Sequence, residues 1–363
     1  MCGSGVVVRL ALLSGRRALG FDIDPLAVLM SKVWTTSTSL RRAEEYAIQI
    51  AERASAVRLS QIALPWIDEC DETRKFIKFW FARPQRDDLR RLSWLLIDKE
   101  TKLPSHIRDC LWLALSRIIV TKHVGATLAW DIPHSRPHKV RTENDFDVMG
   151  QFIRSAARVS ALVAEEPLPA SGRIRRADCR TLPNLGETRI DAVITSPPYL
   201  NAIDYLRGHK MSLVWMGHTI PELRQIRAIS LGTERSRPET ASTDRNREIE
   251  RTLPSIRRLP ARQANLVLKY AADAENMLAE MRRMLDPGGK LVTVVGNCNV
   301  RGRFIDNSKL YGFLAARQGF RLVEQRKRPL TPSRRYLPTV SSNMALEKRM
   351  KYEVVQTYEA VRR

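Results

Sequence analysis

Residues 191–205 read DAVITSPPYLNAIDY, a short apolar strand running into two consecutive prolines and an aromatic. Ala192, Val193 and Ile194 show no polar alternation, the pattern of a strand covered on both faces in an α/β sheet. Neither proline has an N–H to give, so pairing stops there and the stiffened backbone leaves its carbonyls pointing outward. In open α/β sheets that carboxyl edge is where ligands bind. Ser196 adds a side-chain acceptor beside Pro197 and Pro198. Together these groups can take both hydrogens of an exocyclic amino group and aim its nitrogen lone pair, while Tyr199 stacks on the flat ring carrying it. In isolation Pro-Pro-Tyr is by default a rigid turn with a core tyrosine; the start of the chain reverses that default.

Cys2, Gly3, Ser4 and Gly5 form a small-residue loop that opens an apolar helix over 6–14. Gly15 stops the helix, a strand follows over 18–23, and Asp24-Pro25 supplies the cap and first residue of the next helix. Small residues leave the backbone N–H groups of such a loop uncovered, which suits an anionic or carboxylate-bearing ligand. Asp22 closes the strand one βα unit later, where a carboxylate can accept from both ribose hydroxyls of a nucleoside cofactor. Its bland alternative, capping the helix, is already filled by Asp24. Asp178, before the strand over 192–194, reads equally as a turn residue and as an acceptor for an adenine amino group.

Residues 36–168 have helical spacing, scattered tryptophans and proline breaks, and read as a mainly helical insertion. From 169 the α/β texture returns, with a long amphipathic helix over 264–285, a strand over 290–295, a helix over 308–318 and a strand over 321–325. Strands alternating with helices imply a largely parallel sheet covered on both faces. Residues 224–262 are rich in Arg, Ser, Thr and Pro and read as a mobile basic loop. Residues 331–363 read as a basic tail.

At this point the motifs resemble those of the amino-group DNA methyltransferases. MCGSG with GFDIDP is similar to their motifs I and II, and TSPPY to their motif IV. The resemblance covers 1–35 and about 172–330. It implies a Rossmann-like class I methyltransferase sheet, with 1–35 and 169–330 as its two parts and 36–168 as a helical insertion that could carry target recognition. It implies S-adenosylmethionine as cofactor, held by Cys2, Gly3, Ser4 and Gly5 at its methionine part, Asp22 at its ribose and Asp178 at its adenine. It implies Ser196, Pro197, Pro198 and Tyr199 as the catalytic turn. The serine form of that turn is more usual in enzymes modifying cytosine N4, with adenine N6 of DNA or an RNA base as alternatives. The family places a strand ending in Asp-Pro immediately before the glycine loop, so the resemblance implies a sheet incomplete at its N-terminus. A truncated, inactive remnant or a nucleic-acid-binding subunit completed by an N-terminal fragment is then the third alternative. A cognate restriction enzyme is the partner such enzymes imply.

Composition agrees with a nucleic-acid partner. The 363 residues carry 61 Lys+Arg against 39 Asp+Glu, a formal charge of +22, and polyanions are the simplest partner for that excess. The expected DNA contacts are the loop over 224–262 and the basic segment over 317–335 with Tyr336 beside it. Five scattered cysteines without CxxC spacing argue against a disulfide framework or a zinc site and for a reducing cytoplasm. None follows a proline, which excludes the cytosine-C5 class. His134 and His138 lack companion ligands, so no metal is expected; His209 reads as a solvated or capping residue that could instead line the pocket. No apolar run reaches the ~18–20 residues of a membrane-spanning helix.

Overall fold

The computed structural model describes residues 1–119, 121, 124–130, 138–139, 141–164, 168–186, 188–200, 205–232, 243–331 and 350–361. They fall into two compact units. One comprises Cys2–Arg176 and Asp204–Arg227, the other Met1, Ala177–Ile203 and Ala228–Arg363.

The first unit opens with α1 (Val6–Leu13), β1 (Ala18–Asp22) and α2 (Pro25–Trp34). Asp24 caps α2, its side chain accepting from the Leu26 amide at 2.9 Å, and Pro25 stands at the first helical position. Helices α3 (Ala43–Ala56), α4 (Pro65–Asp68), α5 (Asp71–Trp80), α6 (Arg83–Ile97) and α7 (Ser105–Ile119) follow, then the short strands β2 (Ala129–Trp130) and β3 (His138–Lys139). Helix α8 (Val148–Ala164), strand β4 (Gly172–Arg176), helix α9 (Leu206–Leu213) and the start of α10 (Ile220–Ile229) complete it. Strands β1 and β4 pair in parallel, Ala18 opposite Gly172 through Asp22 opposite Arg176.

Ala43, Ala47, Ile50 and Ala54 recur at helical spacing and bury one face of α3. They share a core with Leu26 and Val33 of α2, Leu92 of α6, Leu115 of α7, Phe152 of α8 and Trp215. Each large side chain so buried contributes roughly 1.5–3 kcal/mol. Trp66 turns its indole Nε1 to the Val214 carbonyl at 2.8 Å, satisfying the one polar group a packed tryptophan carries. The helical stretch expected as an insertion over 36–168 therefore shares its core with the first 35 residues.

The second unit holds β5 (Ile190–Thr195), α11 (Thr243–Thr252), α12 (Ala261–Met284), β6 (Leu285–Val295), β7 (Cys298–Val300), β8 (Arg303–Ile305), α13 (Asn307–Arg317), β9 (Phe320–Pro329) and β10 (Tyr352–Ala360). Its main sheet runs β5-β6-β10-β9. Strands β5 and β6 are parallel, and β10 is antiparallel to both its neighbours.

Four expectations change. The strands expected in one largely parallel sheet form separate hydrogen-bonded sheets among the described residues, and β10 breaks the parallel pattern. Strand β5 pairs only with β6 there, and Ile194 is 51% exposed, so the strand expected to be buried on both faces is not. The presumed tail over 331–363 supplies β10, whose Val354, Gln356, Tyr358 and Ala360 alternate into the core. The presumed loop over 224–262 holds the end of α10, α11 and a 3-10 turn at Pro254–Arg258. Ile249, Leu253 and Ile256, spaced i, i+4 and i+7, anchor that segment in the core. Residues 233–242 of the expected loop, 332–336 of the expected basic segment, and His134 lie outside the described residues.

Candidate functional site

The topology of the second unit brings four strand ends to one edge. Parallel β5 and β6 both end there, β10 begins there because it runs the other way, and β9 ends there opposite it. The Ser196–Tyr199 turn leaves β5 at this edge. The Ser196 hydroxyl donates to the Val294 carbonyl of β6 at 3.0 Å. That bond fixes the rotamer and leaves the oxygen's lone pairs open as acceptors. Pro197 is buried and Ser196 exposed. The Tyr270 hydroxyl of α12 donates to the Pro198 carbonyl at 2.9 Å, so the second proline's acceptor is taken up inside the protein.

Tyr199 donates its hydroxyl to Glu353 Oε1 of β10 at 2.5 Å. Glu353 is in turn paired with Arg328 of β9, its register partner across the sheet. Burial, reinforced by the Glu353 hydrogen bond, pushes the Tyr199 phenol well above its ordinary range. The ring lies against Gly296, just past β6. A Cβ there would sit 2.6 Å from Tyr199 Cε2 and 2.7 Å from Met350 Sδ. Asn307 holds that glycine in place, its amide donating to the Gly296 carbonyl at 2.7 Å. Glu353, Arg328, Gly296 and Tyr270 were not singled out in the sequence. Tyr270 lies in the helix expected over 264–285, Gly296 just past the strand expected over 290–295 and Arg328 in the expected basic segment, while Glu353 carries no sequence signal of its own.

In the other unit the glycine loop and the acidic strand end meet. The Gly3 amide donates to Asp22 Oδ2 at 2.9 Å, and the Asp24 amide to Asp22 Oδ1 at 3.1 Å. Each carboxylate oxygen thus accepts one backbone N–H and retains capacity for another donor. The Cys2 amide donates to the Phe21 carbonyl at 2.8 Å, and the Ser31 hydroxyl to the Gly3 carbonyl at 2.8 Å. Gly3 has φ +55° with open space where a Cβ would be, whereas at Gly5 a Cβ would lie 2.9 Å from Ser31 Cα. Gly5 therefore lets α1 approach α2 closely, and Gly3 leaves the loop uncovered. Ser4 is exposed. Burial raises the Cys2 thiol above its ordinary value. His209 does not stand free: its Nδ1 lies 2.6 Å from Oδ2 of Asp24, the cap of α2. Among the described residues no group of three or more His, Cys, Asp and Glu could hold a metal ion.

Asp178 adopts the turn geometry that was one of its two readings. Its Oδ1 accepts from the Arg180 amide at 2.9 Å, and Arg180 reaches Oδ2 through Nη2 at 2.6 Å and Oδ1 through Nε at 3.1 Å. Arg180 also donates to Asp273 Oδ1 and to the Ile229 carbonyl, both at 2.6 Å. Burial pulls the Asp178 carboxyl upward, but the Arg180 hydrogen bonds and charge outweigh it and hold the group below its usual range.

Among the described residues, several arginines of the basic segments are paired within the chain. Arg317 meets Glu275 and Glu248, Arg321 meets Glu359, and Arg326 meets Glu324. Arg224, Arg245, Arg247 and Arg257 have acidic partners as well.

No helix among the described residues is long and apolar enough to cross a membrane. No family model matches the chain. One solved structure, a protein of Thermus thermophilus named as a candidate DNA modification methylase, aligns at 18% identity over 26% of this chain and 38% of its own, with a TM-score of 0.20. At that score the likeness says nothing of this fold. A curated relative, the Type II methyltransferase M.BsoBI of Geobacillus stearothermophilus, is 36% identical over 58 residues. That stretch is 16% of this chain and spans 11% of the relative's length.

Proposed function

We infer that this chain transfers a methyl group from S-adenosylmethionine to an exocyclic amino group of a DNA base, cytosine N4 ahead of adenine N6. The observation that carries the reading is the state of the Ser196–Tyr199 turn at the converging strand ends. Ser196 is exposed and locked by its own donated hydrogen bond, while its neighbours hold Tyr199 and Pro198 rigid.

The residues of the glycine loop fit the cofactor assigned to them in part. Asp22 keeps an acceptor site on each oxygen, as two ribose hydroxyls require, and the uncovered Gly3 leaves the loop approachable. Asp178 does not fit its assigned role, because Arg180 and its amide engage both oxygens; the adenine contact is left out of the proposal. When bound, S-adenosylmethionine supplies a methyl group on a positively charged sulfur. The chain's own residues do the rest. The Ser196 oxygen and the Pro197 carbonyl accept the two amino hydrogens, which turns the nitrogen lone pair away from them. Tyr199 stacks on the base after it has left the duplex. The gain comes from acceptors fixed before substrate arrives, with no covalent intermediate on the protein.

Calorimetry with S-adenosylhomocysteine tests the cofactor half: Asp22→Ala should weaken binding by about tenfold or more, corresponding to about 1.4 kcal/mol or more for a lost charged acceptor. Unchanged affinity would remove Asp22 from the site. Transfer of label from the methyl donor to duplex DNA and not to RNA of the same sequence tests the substrate half.

A further inference from the structure

Within the second unit, a cavity of about 270 Å³ is lined by Leu200, Arg262, Gln263, Leu266, Val300 and Arg301 among others. Leu200 follows Tyr199 directly, so the cavity adjoins the turn assigned to the base. Two arginines reach it from different elements: Arg262 from the first turn of α12, Arg301 from the hairpin joining β7 to β8. Both are exposed, and neither has an ion-pair partner among the described residues, whereas Arg245, Arg257 and Arg317 nearby do. Arg301 and Gly302 form the two-residue turn of that hairpin, with φ +50° and +78°. Such a turn favours Asn or Gly at its first position, and a long side chain there is disfavoured locally. Arg301 thus stands at a position that favours Asn while lining a cavity together with a second arginine that has no ion-pair partner among the described residues.

We propose that Arg262 and Arg301 clamp a backbone phosphate of the DNA strand that carries the target base. This rests on the reading of the Ser196–Tyr199 turn as the base-orienting site, and it adds the nucleotide-backbone contact beside it. Two guanidinium groups suit a phosphodiester, whose two free oxygens each accept charge-assisted hydrogen bonds. Leu266, half-buried at the cavity, offers an apolar surface to the adjoining sugar. Gln263 adds a neutral donor.

The test is equilibrium binding of a fluorescently labelled duplex to the full chain over 50–300 mM salt, a range set by the usual strength of phosphate contacts. The slope of log K against log salt falls by about 0.9 for each phosphate that the protein no longer neutralises. Arg262→Gln and Arg301→Gln should each flatten the slope by up to about 0.9 and weaken binding several-fold at 0.1 M salt. Gln263→Glu, which keeps both arginines and adds a carboxylate to the cavity, should weaken binding likewise. Arg53→Gln on α3 removes the same charge outside the cavity and should change neither quantity. Wild-type slope in both arginine variants, or an equal loss in Arg53→Gln, would overturn the clamp while leaving the methyl-transfer reading standing. Absence of duplex binding by the wild-type chain would overturn both. Tighter binding to RNA of the same sequence, with the same dependence on Arg262 and Arg301, would overturn the assignment to DNA.

Discussion

Tyr199 is held at three points: its hydroxyl by Glu353, its ring by Gly296, and its backbone through the Tyr270 bond to Pro198. Positions this constrained cannot drift toward or away from a stacked base, so each holder should affect turnover through Tyr199. Tyr199→Ala and Ser196→Ala should lower the rate by about 10²-fold or more while leaving S-adenosylhomocysteine affinity nearly unchanged. Glu353→Gln keeps an acceptor for the phenol and should cost less than Glu353→Ala, which strands both Tyr199 and Arg328. A steady-state comparison that found the two Glu353 variants equal would show that the hydrogen bond does not position the ring. Gly296→Ala should lower kcat and also cost about 1–3 kcal/mol of stability, because the added methyl must displace Tyr199 or Met350.

Asp178 gives a pH prediction. Its carboxyl lies below its unfolded value of about 3.9, so the stabilisation it contributes is complete above that pH. The stabilisation is lost as pH falls through the lower folded value. Asp178→Asn should therefore destabilise the chain by about 1–3 kcal/mol at neutral pH and flatten the acid limb below about pH 4. Denaturant melts across that range would show an unchanged acid limb if Arg180 did not hold this carboxylate.

Among the elements, those with a clear period and clear stops were legible in the sequence. Asp24-Pro25 marks the start of α2, and Gly319, at φ +77°, ends the stretch that begins with α13. The helix expected over 264–285 is found at Ala261–Met284. Strand β10 was missed because the basic stretch before it looks like a tail. Its buried Gln356 also interrupts an otherwise apolar alternation; the Gln356 amide donates to the Ser308 carbonyl at 2.9 Å, which no local pattern reveals. Helix α11 was missed because it is mostly charged, and of the three residues anchoring this segment only Ile249 lies within it, too few to raise the periodic signal. Glu353 stands 154 positions from Tyr199, so this part of the candidate site becomes visible only once the strands are in register. Since β10 pairs on both sides, a chain ending at Leu330 should lose cooperative unfolding of the four-stranded sheet. Limited proteolysis that left residues 285–330 as protected as in the full chain would contradict that.

For the whole molecule, the formal charge of +22 describes an excess and not a surface plan. Many of its arginines are paired within the fold, and the unpaired ones at the cavity beside Leu200 are a small subset. Net charge sets up the expectation of a polyanionic partner; it does not say which arginines would face one, because pairing is a property of the folded chain. The serine that leads the Pro-Pro-Tyr turn was legible outright, as was the acidic end of β1. The failure of Asp178 to remain free was not, since its partner Arg180 lies two residues away in a motif that reads equally as a turn.

The most direct test is mass spectrometry of nucleosides released from duplex DNA after incubation with the chain and S-adenosylmethionine. The account predicts N4-methyl-deoxycytidine from the wild-type chain and its loss in Ser196→Ala and Tyr199→Ala, with cofactor binding retained. Undiminished product from both variants, or methylation at cytosine C5 alone, would contradict it.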